Sequence, residues 1–541
     1  MLIASYRNYK KTGLRQKYII LLVVSIFIIS CAQRSALSGG DKDILPPEVK
    51  EEFPANKTTN FIENTITVEF NEFISLDNLS SQLIVSPLMD ETPDIAVKGK
   101  KLVIKIKSEL KPNTTYSLNF GDAIKDITEG NIYPNYKYVF STGSFIDSLN
   151  YEGKVIGAFD LTPKENVFVM LYDEFEDSIP KTKKPRYIAK TNKDGDYQIT
   201  NISKGKYKLF ALTDINSNYL FDLPNEEIGF YNELIQIDSS KTNNIIYSFT
   251  ENTDLQYVTK SSNTAYGKIV LEFNMPADSI IIKSLNEDIS LDIEEVSDDK
   301  KKKTFWLSDP SFTEKLDIVV YNNKAIIDTL ELELINPDLF LDSTLTVNTN
   351  VGVKFDLNTA IQFTTAQPIA GIDTSKISLL EDSIKVDFKF TQDSVNIRRY
   401  NLIYPFKEKT DYLLFAEPSV FTDIYGLHND TILKTFKTKR ESDYGNLVLN
   451  VTPNITDNYI IHFTLNNKIV ETRYGVGKAV FNFDYLTAGS YGIKLIVDRN
   501  NNKSWDTGNY NEKLQPEEVI YYQGTISIQE NWDNKIDWII E

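Results

Sequence analysis

Across 541 residues there is one cysteine, Cys31. A lone thiol excludes an intrachain disulfide and a thiolate metal cluster. Histidine is nearly as scarce. His428 and His462 lie in different segments, so a His-rich metal site or a Ser-His-Asp triad would have to be built on one isolated imidazole. Positive charge is also short, with 58 Lys and Arg against 76 Asp and Glu and a net charge of −18. That field repels phosphate backbones and makes nucleic acid a poor partner; its simplest role is solubility. No Gly-rich phosphate loop, G-x-S-x-G elbow or H-E-x-x-H is present. Carboxylate pairs such as Glu69/Glu72 and Glu226/Glu227 exist, but a glycosidase needs two carboxyls facing across a cleft, one of raised pKa. Glu69 falls on the polar side of an alternating strand and reads as solvated. The chain reads as non-enzymatic.

Long apolar runs are missing except at the start. Arg7, Lys10, Lys11, Arg15 and Lys17, with no acid among them, precede an apolar run over 18–29. That run suits a signal-peptide core and is short for a membrane span. It ends Ile28-Ile29-Ser30-Cys31, which resembles a bacterial lipobox. The resemblance implies a signal peptide over 1–30 and a Cys31 that is diacylated on sulfur (palmitate being one such chain) and becomes the first mature residue. The alternative is an uncleaved signal anchor with a chance cysteine. Residues 31–46, with Ser38-Gly39-Gly40-Asp41-Lys42-Asp43 and then Pro46-Pro47 at the boundary, read as a flexible leader with a stiffened end. Its acidic and lysine cluster resembles the lipoprotein surface-export signals of the Bacteroidota, which implies an outer-membrane protein facing outward; the periplasmic face stays open.

The remainder is written in strands. Ile66, Val68 and Phe70 alternate with Thr67 and Glu69, and Leu102, Ile104 and Ile106 alternate in the same way. Short strands about ten residues apart, with no helical period, predict an all-β sandwich at the front of the chain. For the rest, the repeats and resemblances that follow imply tandem β-sandwiches, all-β throughout. Within 47–144, the stretches ITVEFNEFI, LKPNTTYSLNFGDAIKD and YVFSTG resemble the bacterial Ig-like domain at the front of many Bacteroidota lipoproteins. That implies an Ig-like fold and no catalytic residue. In 145–250, the pattern T-x-x-D-G-x-Y-x-I-x-N-I-x-x-G-x-Y-x-L, built on an Asp194-Gly195 hairpin turn, resembles the prealbumin-like (carboxypeptidase-regulatory-like) sandwich, a spacer or binding platform. Residues 251–341 form a divergent β domain with a charged hairpin tip at 298–303. Residues 342–440 weakly repeat the Ig-like text, and 441–541 repeat the prealbumin-like text.

The last repeat is carried by one phrase. Gly205-Lys206-Tyr207, a strand, and then Asp214, Asn216, Asn218 and Asp222 recur as Gly489-Ser490-Tyr491, a strand, and Asp498, Asn500, Asn502 and Asp506, offset throughout by 284 (489 − 205). Both loops read D-x-N-x-N-x-x-x-D. Four oxygen side chains at that spacing suit a hard cation such as calcium, acting structurally and not as a required cofactor, with Glu226-Glu227 or Glu512 as a further ligand. Neither loop has the Gly at position 6 or the Glu at position 12 of an EF-hand. The same residues also suit Asx-turns that cap their own backbone.

The Bacteroidota resemblance further implies O-glycans on Asp-(Ser/Thr)-apolar triplets, at Ser148, Ser178, Ser279, Thr329, Ser383, Ser394 and Thr431, with 342–344 a looser case. Together these features predict a lipid-anchored outer-membrane protein acting as a rod of β-domains with protein partners. It would be a structural or interaction component, for instance an accessory of outer-membrane protein assembly or export. A carbohydrate-binding or adhesion module is the alternative, with Trp306 and Trp505 the candidates before the C-terminus, although Trp306 in Phe305-Trp306-Leu307 reads as core. A hydrolase with an unrecognised site is a third.

Overall fold

Strand Thr65–Phe70 shows how this sequence becomes sheet. Ile66, Val68 and Phe70 are fully buried, while Thr67 and Glu69 face outward and Glu69 pairs with Lys101 at 2.9 Å. The computed structural model describes residues 43–252, 255–285, 291, 293–297, 300–307, 315–335 and 344–540. Cys31 and Ser343 lie outside the described residues. Among those described, the only α-helices are single turns at Leu79–Gln82 and Ile179–Thr182, and the fold is tandem β-sandwiches. The chain divides into two compact units, 1–146 and 147–541.

Unit 1 is one sandwich. Val49–Phe53, Thr65–Phe70, Lys101–Lys105 and Asp94–Lys98 form one sheet in that order, facing Ile84–Ser86, Thr115–Asn119 and Lys137–Ser141, with Ile74–Leu76 paired to Ile124–Asp126. Phe61, Phe70, Tyr116, Phe120, Tyr138 and Phe140 fill the space between, Tyr116 stacking on Phe140 at 5.4 Å.

Unit 2 repeats this plan at 347–438. Ile361–Thr365 takes the place of Thr65–Phe70, and Asp411–Ala416 that of Thr115–Asn119. The sequence echo here is weak, yet the same polar contacts recur. Lys111 donates its backbone N–H to the Tyr116 hydroxyl and Thr114 to Thr142 Oγ1, at 2.9 and 3.0 Å. Lys407 and Thr410 do the same to Tyr412 and Thr438, both at 3.0 Å.

The sandwiches at 149–250 and 444–540 also share one connectivity. In each, the first strand pairs in parallel with the last, Leu149–Gly157 with Lys241–Thr250 and Tyr444–Pro453 with Asp533–Ile540. In 444–540 a second sheet is centred on the strand of the duplicated phrase, Gly489–Asp498. In 149–250 the equivalent strand Gly205–Leu212 belongs to one continuous eight-stranded sheet, joined to Lys241–Thr250 through Glu227–Phe230. The Asp194-Gly195 turn is not the hairpin expected from its sequence. Tyr187–Lys190 and Asp196–Ile202 pair with different partners. Asn192 Oδ1 accepts from the backbone of Asp194 and Asp196 and turns the chain between the two end strands of that sheet. Gly195, at φ +76°, approaches Val155 O so closely that a Cβ would sit 2.5 Å from it.

The described parts of 251–341 form two sheets, of four and three strands, around Leu271, Phe305, Ile318 and Val320. The charged tip is shorter than predicted. Lys302 and Lys303 lie in strand Lys302–Trp306, and Lys303 is buried, pairing with Glu294 at 2.7 Å. Trp306 is buried but turns away from this core. Its indole donates to Glu295 at 2.8 Å, and Glu295 also accepts from Arg398 of the next sandwich at 2.6 Å, whose guanidinium lies 5.5 Å from the ring. Trp306 thus fastens two sandwiches together and offers no exposed face to a sugar.

Nor is unit 2 a linear string. After Asp506 the second loop carries about seven residues that the first lacks, and these dock on the 149–250 sandwich. Tyr510 sets its ring edge-on to Phe210 and Phe230 at 5.3 and 5.0 Å and donates its hydroxyl to Asp177 O at 2.7 Å. Lys513 pairs with Asp177 at 3.0 Å, and Thr507 Oγ1 donates to Thr250 O at 2.7 Å. At Gly508 a Cβ would lie 2.5 Å from the Phe249 ring, so only glycine lets the insertion pass. Trp505 meets Phe159 at 5.0 Å beside it. The Lys494 ammonium lies 3.5 Å from the Phe159 ring, and burial pushes its pKa down to about 8. Truncating Tyr510 to alanine leaves a void among aromatic rings. We expect a loss of about 3 kcal/mol in chemical denaturation of unit 2, and faster proteolysis at 507–513.

Candidate functional site: the doubled Asp and Asn loops

Each loop begins where its strand runs out, at Asp214 just beyond Gly205–Leu212 and at Asp498 ending Gly489–Asp498. The two are wired alike. Asp214 accepts from the backbone of Asn218 and Tyr219 at 3.2 and 2.8 Å, and Asp498 from Asn502 and Lys503 at 3.0 and 2.9 Å. The closing aspartate accepts two side-chain amides, Asn216 and Asn218 onto Asp222 at 3.0 and 2.7 Å, and Asn500 and Asn502 onto Asp506 at 2.6 and 2.9 Å. Asn218 and Asn502 also accept from the backbone two residues on, as Asx-turns do. Positions 4 and 6 are left-handed in both: Ser217 and Tyr219 at φ 61° and 64°, Asn501 and Lys503 at 58° and 66°. A non-glycine residue there is strained, and the aspartate bonds hold it in place.

A fifth residue completes each loop. Glu226 is wholly buried and accepts from the backbone of Ile215, Asp222 and Leu223 at 3.1–3.2 Å. Glu517 accepts from Arg499 and Asp506 at 2.7 and 3.0 Å. The equivalent of Glu226 is therefore Glu517. Glu512, the sequence-based choice, is exposed on the docking insertion, and Glu227 pairs with Lys164 at 3.0 Å. Glu517 was missed because the insertion shifts the offset from 284 to 291 (517 − 226). Burial, and then Asp506 and Asp498 nearby, push the Glu517 carboxyl above the ordinary range. Among the described residues no group of three or more His, Cys, Asp or Glu is placed to hold a metal ion.

The other predicted positions are scattered. Ser148, Ser178, Thr329, Ser383, Ser394 and Thr431 are exposed on separate turns and edges; Ser279 is half-buried and its hydroxyl lies 2.6 Å from Asn322 Oδ1. Trp532 is the exposed tryptophan, at 58%.

Replacing Glu226 or Glu517 by glutamine keeps shape but swaps an acceptor oxygen for an NH2 facing backbone N–H groups. We expect each change to cost about 1–3 kcal/mol by denaturant unfolding, with amide exchange accelerated at 214–223 or 498–506 alone.

Residues 43–142 match the family of the bacterial Ig-like domain, which covers the sandwich of unit 1. No curated protein matches the chain. Solved structures to which the chain is similar include the S-layer protein rSbsC, 10% identical over 90% of this chain and 68% of that one, TM-score 0.15. They also include the Bacillus anthracis TIE protein, 10% identical over 93% and 76%, TM-score 0.14. A third is BcpA, the major pilin subunit of Bacillus cereus, 12% identical over 72% and 98%, TM-score 0.13. At these scores the likeness assigns no role. By its own residues 43–142, the chain carries a bacterial Ig-like domain.

Proposed function

We propose that this chain is a non-enzymatic, lipid-anchored outer-membrane protein whose sandwiches serve as a structural or interaction component, an accessory to the assembly or export of outer-membrane proteins. The observation that carries the reading is the order of its parts. A basic, then apolar segment ends at the one cysteine, and twelve residues later an Ig-like sandwich begins a chain of repeats. Acylation of the Cys31 sulfur would tether the leader, and the packed joints of unit 2 would hold its binding faces at fixed angles to one another. The cell surface fits the Asp41-Lys42-Asp43 cluster of the leader. Adhesion to glycans is the second reading, and it now rests on exposed Trp532.

Purification from detergent-solubilised native membranes tests this. The expected result is a stoichiometric complex with an outer-membrane barrel and a fatty-acid label that disappears in Cys31→Ser. Retention on glycan alone would favour adhesion, and undiminished label would overturn the anchor. Intact mass of the same material reports the O-glycans as mass beyond the lipidated polypeptide.

Structural calcium at the doubled loops belongs to this proposal. Asp214 and Asp222, or Asp498 and Asp506, would supply carboxylate oxygens. Half-turns of the two asparagine amides would replace their donor nitrogens with carbonyl oxygens. Calcium at a hundred times its Kd would then raise stability by about 2.7 kcal/mol. The readout is the difference in Tm between millimolar calcium and chelator, because Asp214→Ala with Asp498→Ala also removes backbone caps. A wild-type difference that vanishes in the double variant is expected, and no difference in wild type leaves only the Asx-turns.

A further inference from the structure

Unit 1 has two unlike poles. Strand Thr65–Phe70 runs between them, with Thr65 opposite Lys105 at one end and Glu69 opposite Lys101 at the other. At the Lys105 pole the chain leaves the sandwich, where Asn60 and Phe61 donate to Gly143 O and Ser141 O. At the other pole it enters: Asn131 Nδ2 holds Asp43 O at 3.0 Å, and Glu48 is tied to Asn71 by two bonds. Five apolar side chains stand in water at this entry pole. Ile44 is 77% exposed, Leu45 67%, Phe73 57%, Ile127 60% and Ile132 46%. They come from three segments brought together there. Ile127 donates its backbone N–H to Phe73 O at 3.1 Å, Ile132 bridges to Lys125, and the Phe73 ring packs on the Gly99 tip.

From this juxtaposition we infer that the entry pole is a lipid-contact surface, with Phe73 and Ile127 at its tip seated among the headgroups of the membrane that holds Cys31. The inference rests on the anchoring proposed above. Twelve residues separate Cys31 from Asp43, a reach of at most about 40 Å. A cluster of exposed apolar loops within that reach of a bilayer is buried by lying on it, as interfacial aromatic and aliphatic side chains do. The charges beside the patch select the lipid. Glu72 stands here with Asp126, Asp43 and Glu129, and burial, then these three carboxylates, raise its carboxyl above the ordinary range. Of the cations, Lys125 pairs with Asp77, and Lys100 donates to Asn71 O and keeps its charge 5.5 Å from the Phe73 ring, so acids still outnumber cations at the rim. Such a rim complements the ammonium of phosphatidylethanolamine and is repelled by anionic lipid.

The lone cysteine makes the test direct, since acylation consumes its thiol. In the full lipidated chain, Ile132→Cys or, at the opposite pole, Ile62→Cys carries an environment-sensitive fluorophore, and the protein is reconstituted on phosphatidylethanolamine/phosphatidylcholine vesicles. Flotation with the vesicles reports the anchor separately from the patch. The expected result is a probe at 132 that brightens and is quenched by lipids brominated on the acyl chain, while the probe at 62 stays in water. Phe73→Ser with Ile127→Ser should abolish the signal at 132 without releasing the protein, and anionic vesicles should weaken it. A floated protein whose probe at 132 behaves like that at 62 overturns the inference; failure to float overturns the anchor instead.

Discussion

Unit 2 depends on one aromatic contact that its repeats do not share. Tyr510 is a side chain of the last sandwich that completes the surface of the first, closing over Phe210 and Phe230 while its hydroxyl takes the otherwise open carbonyl of Asp177. An aromatic edge in an aromatic notch buries large area with only two side-chain torsions to fix. Lys208 and Lys513 both reach the Asp177 carboxylate, so the rim is charged while the centre is dry. The sandwiches between are held by the same device in another form. At the Trp306 joint, Glu295 receives both an indole N–H and a guanidinium, and Tyr425 donates to Leu307 O. Tyr444 then ties 344–438 to the last sandwich through Asp356 and the backbone of Leu357.

The doubled loops follow from a different constraint. A strand that ends at the rim of a sandwich and reverses leaves backbone N–H groups pointing inward, and buried donors without partners are costly. Here carboxylates collect them, the first aspartate taking the amides at positions 5 and 6 and a buried glutamate those at positions 2 and 9. The result is a rigid rim rich in oxygen. One of these rims leads directly into the docking insertion, so the stiffness of the second loop sets where Tyr510 is presented.

Periodicity of two was enough to see strands, because each has one wet and one dry face; the tandem sandwiches needed the repeats and the module resemblance as well. Residue spacing was enough for the 284-residue repeat, since loop residues that bond their own backbone carry their geometry in their spacing. It was not enough for the Asp194-Gly195 turn. A hairpin turn and a turn between the two end strands of one sheet share the same local chemistry, and only the partners of the flanking strands tell them apart. Nor could alternation place Trp306. It predicts which face a side chain takes, and it is silent on whether that face meets solvent or another sandwich.

By itself, then, the sequence determined what is local: strands, turn residues, the repeated loop, and a basic–apolar segment ending in the one cysteine. Tertiary structure alone decided that Glu517 and not Glu512 completes the second loop, that seven extra residues bind the last sandwich to that at 149–250, and that five scattered apolar residues meet at one pole of unit 1. Each of those depends on contacts between residues tens to hundreds of positions apart. Local patterns are written by steric and hydrogen-bonding rules over a few residues, whereas long-range pairing depends on the shapes that finished sandwiches present to each other.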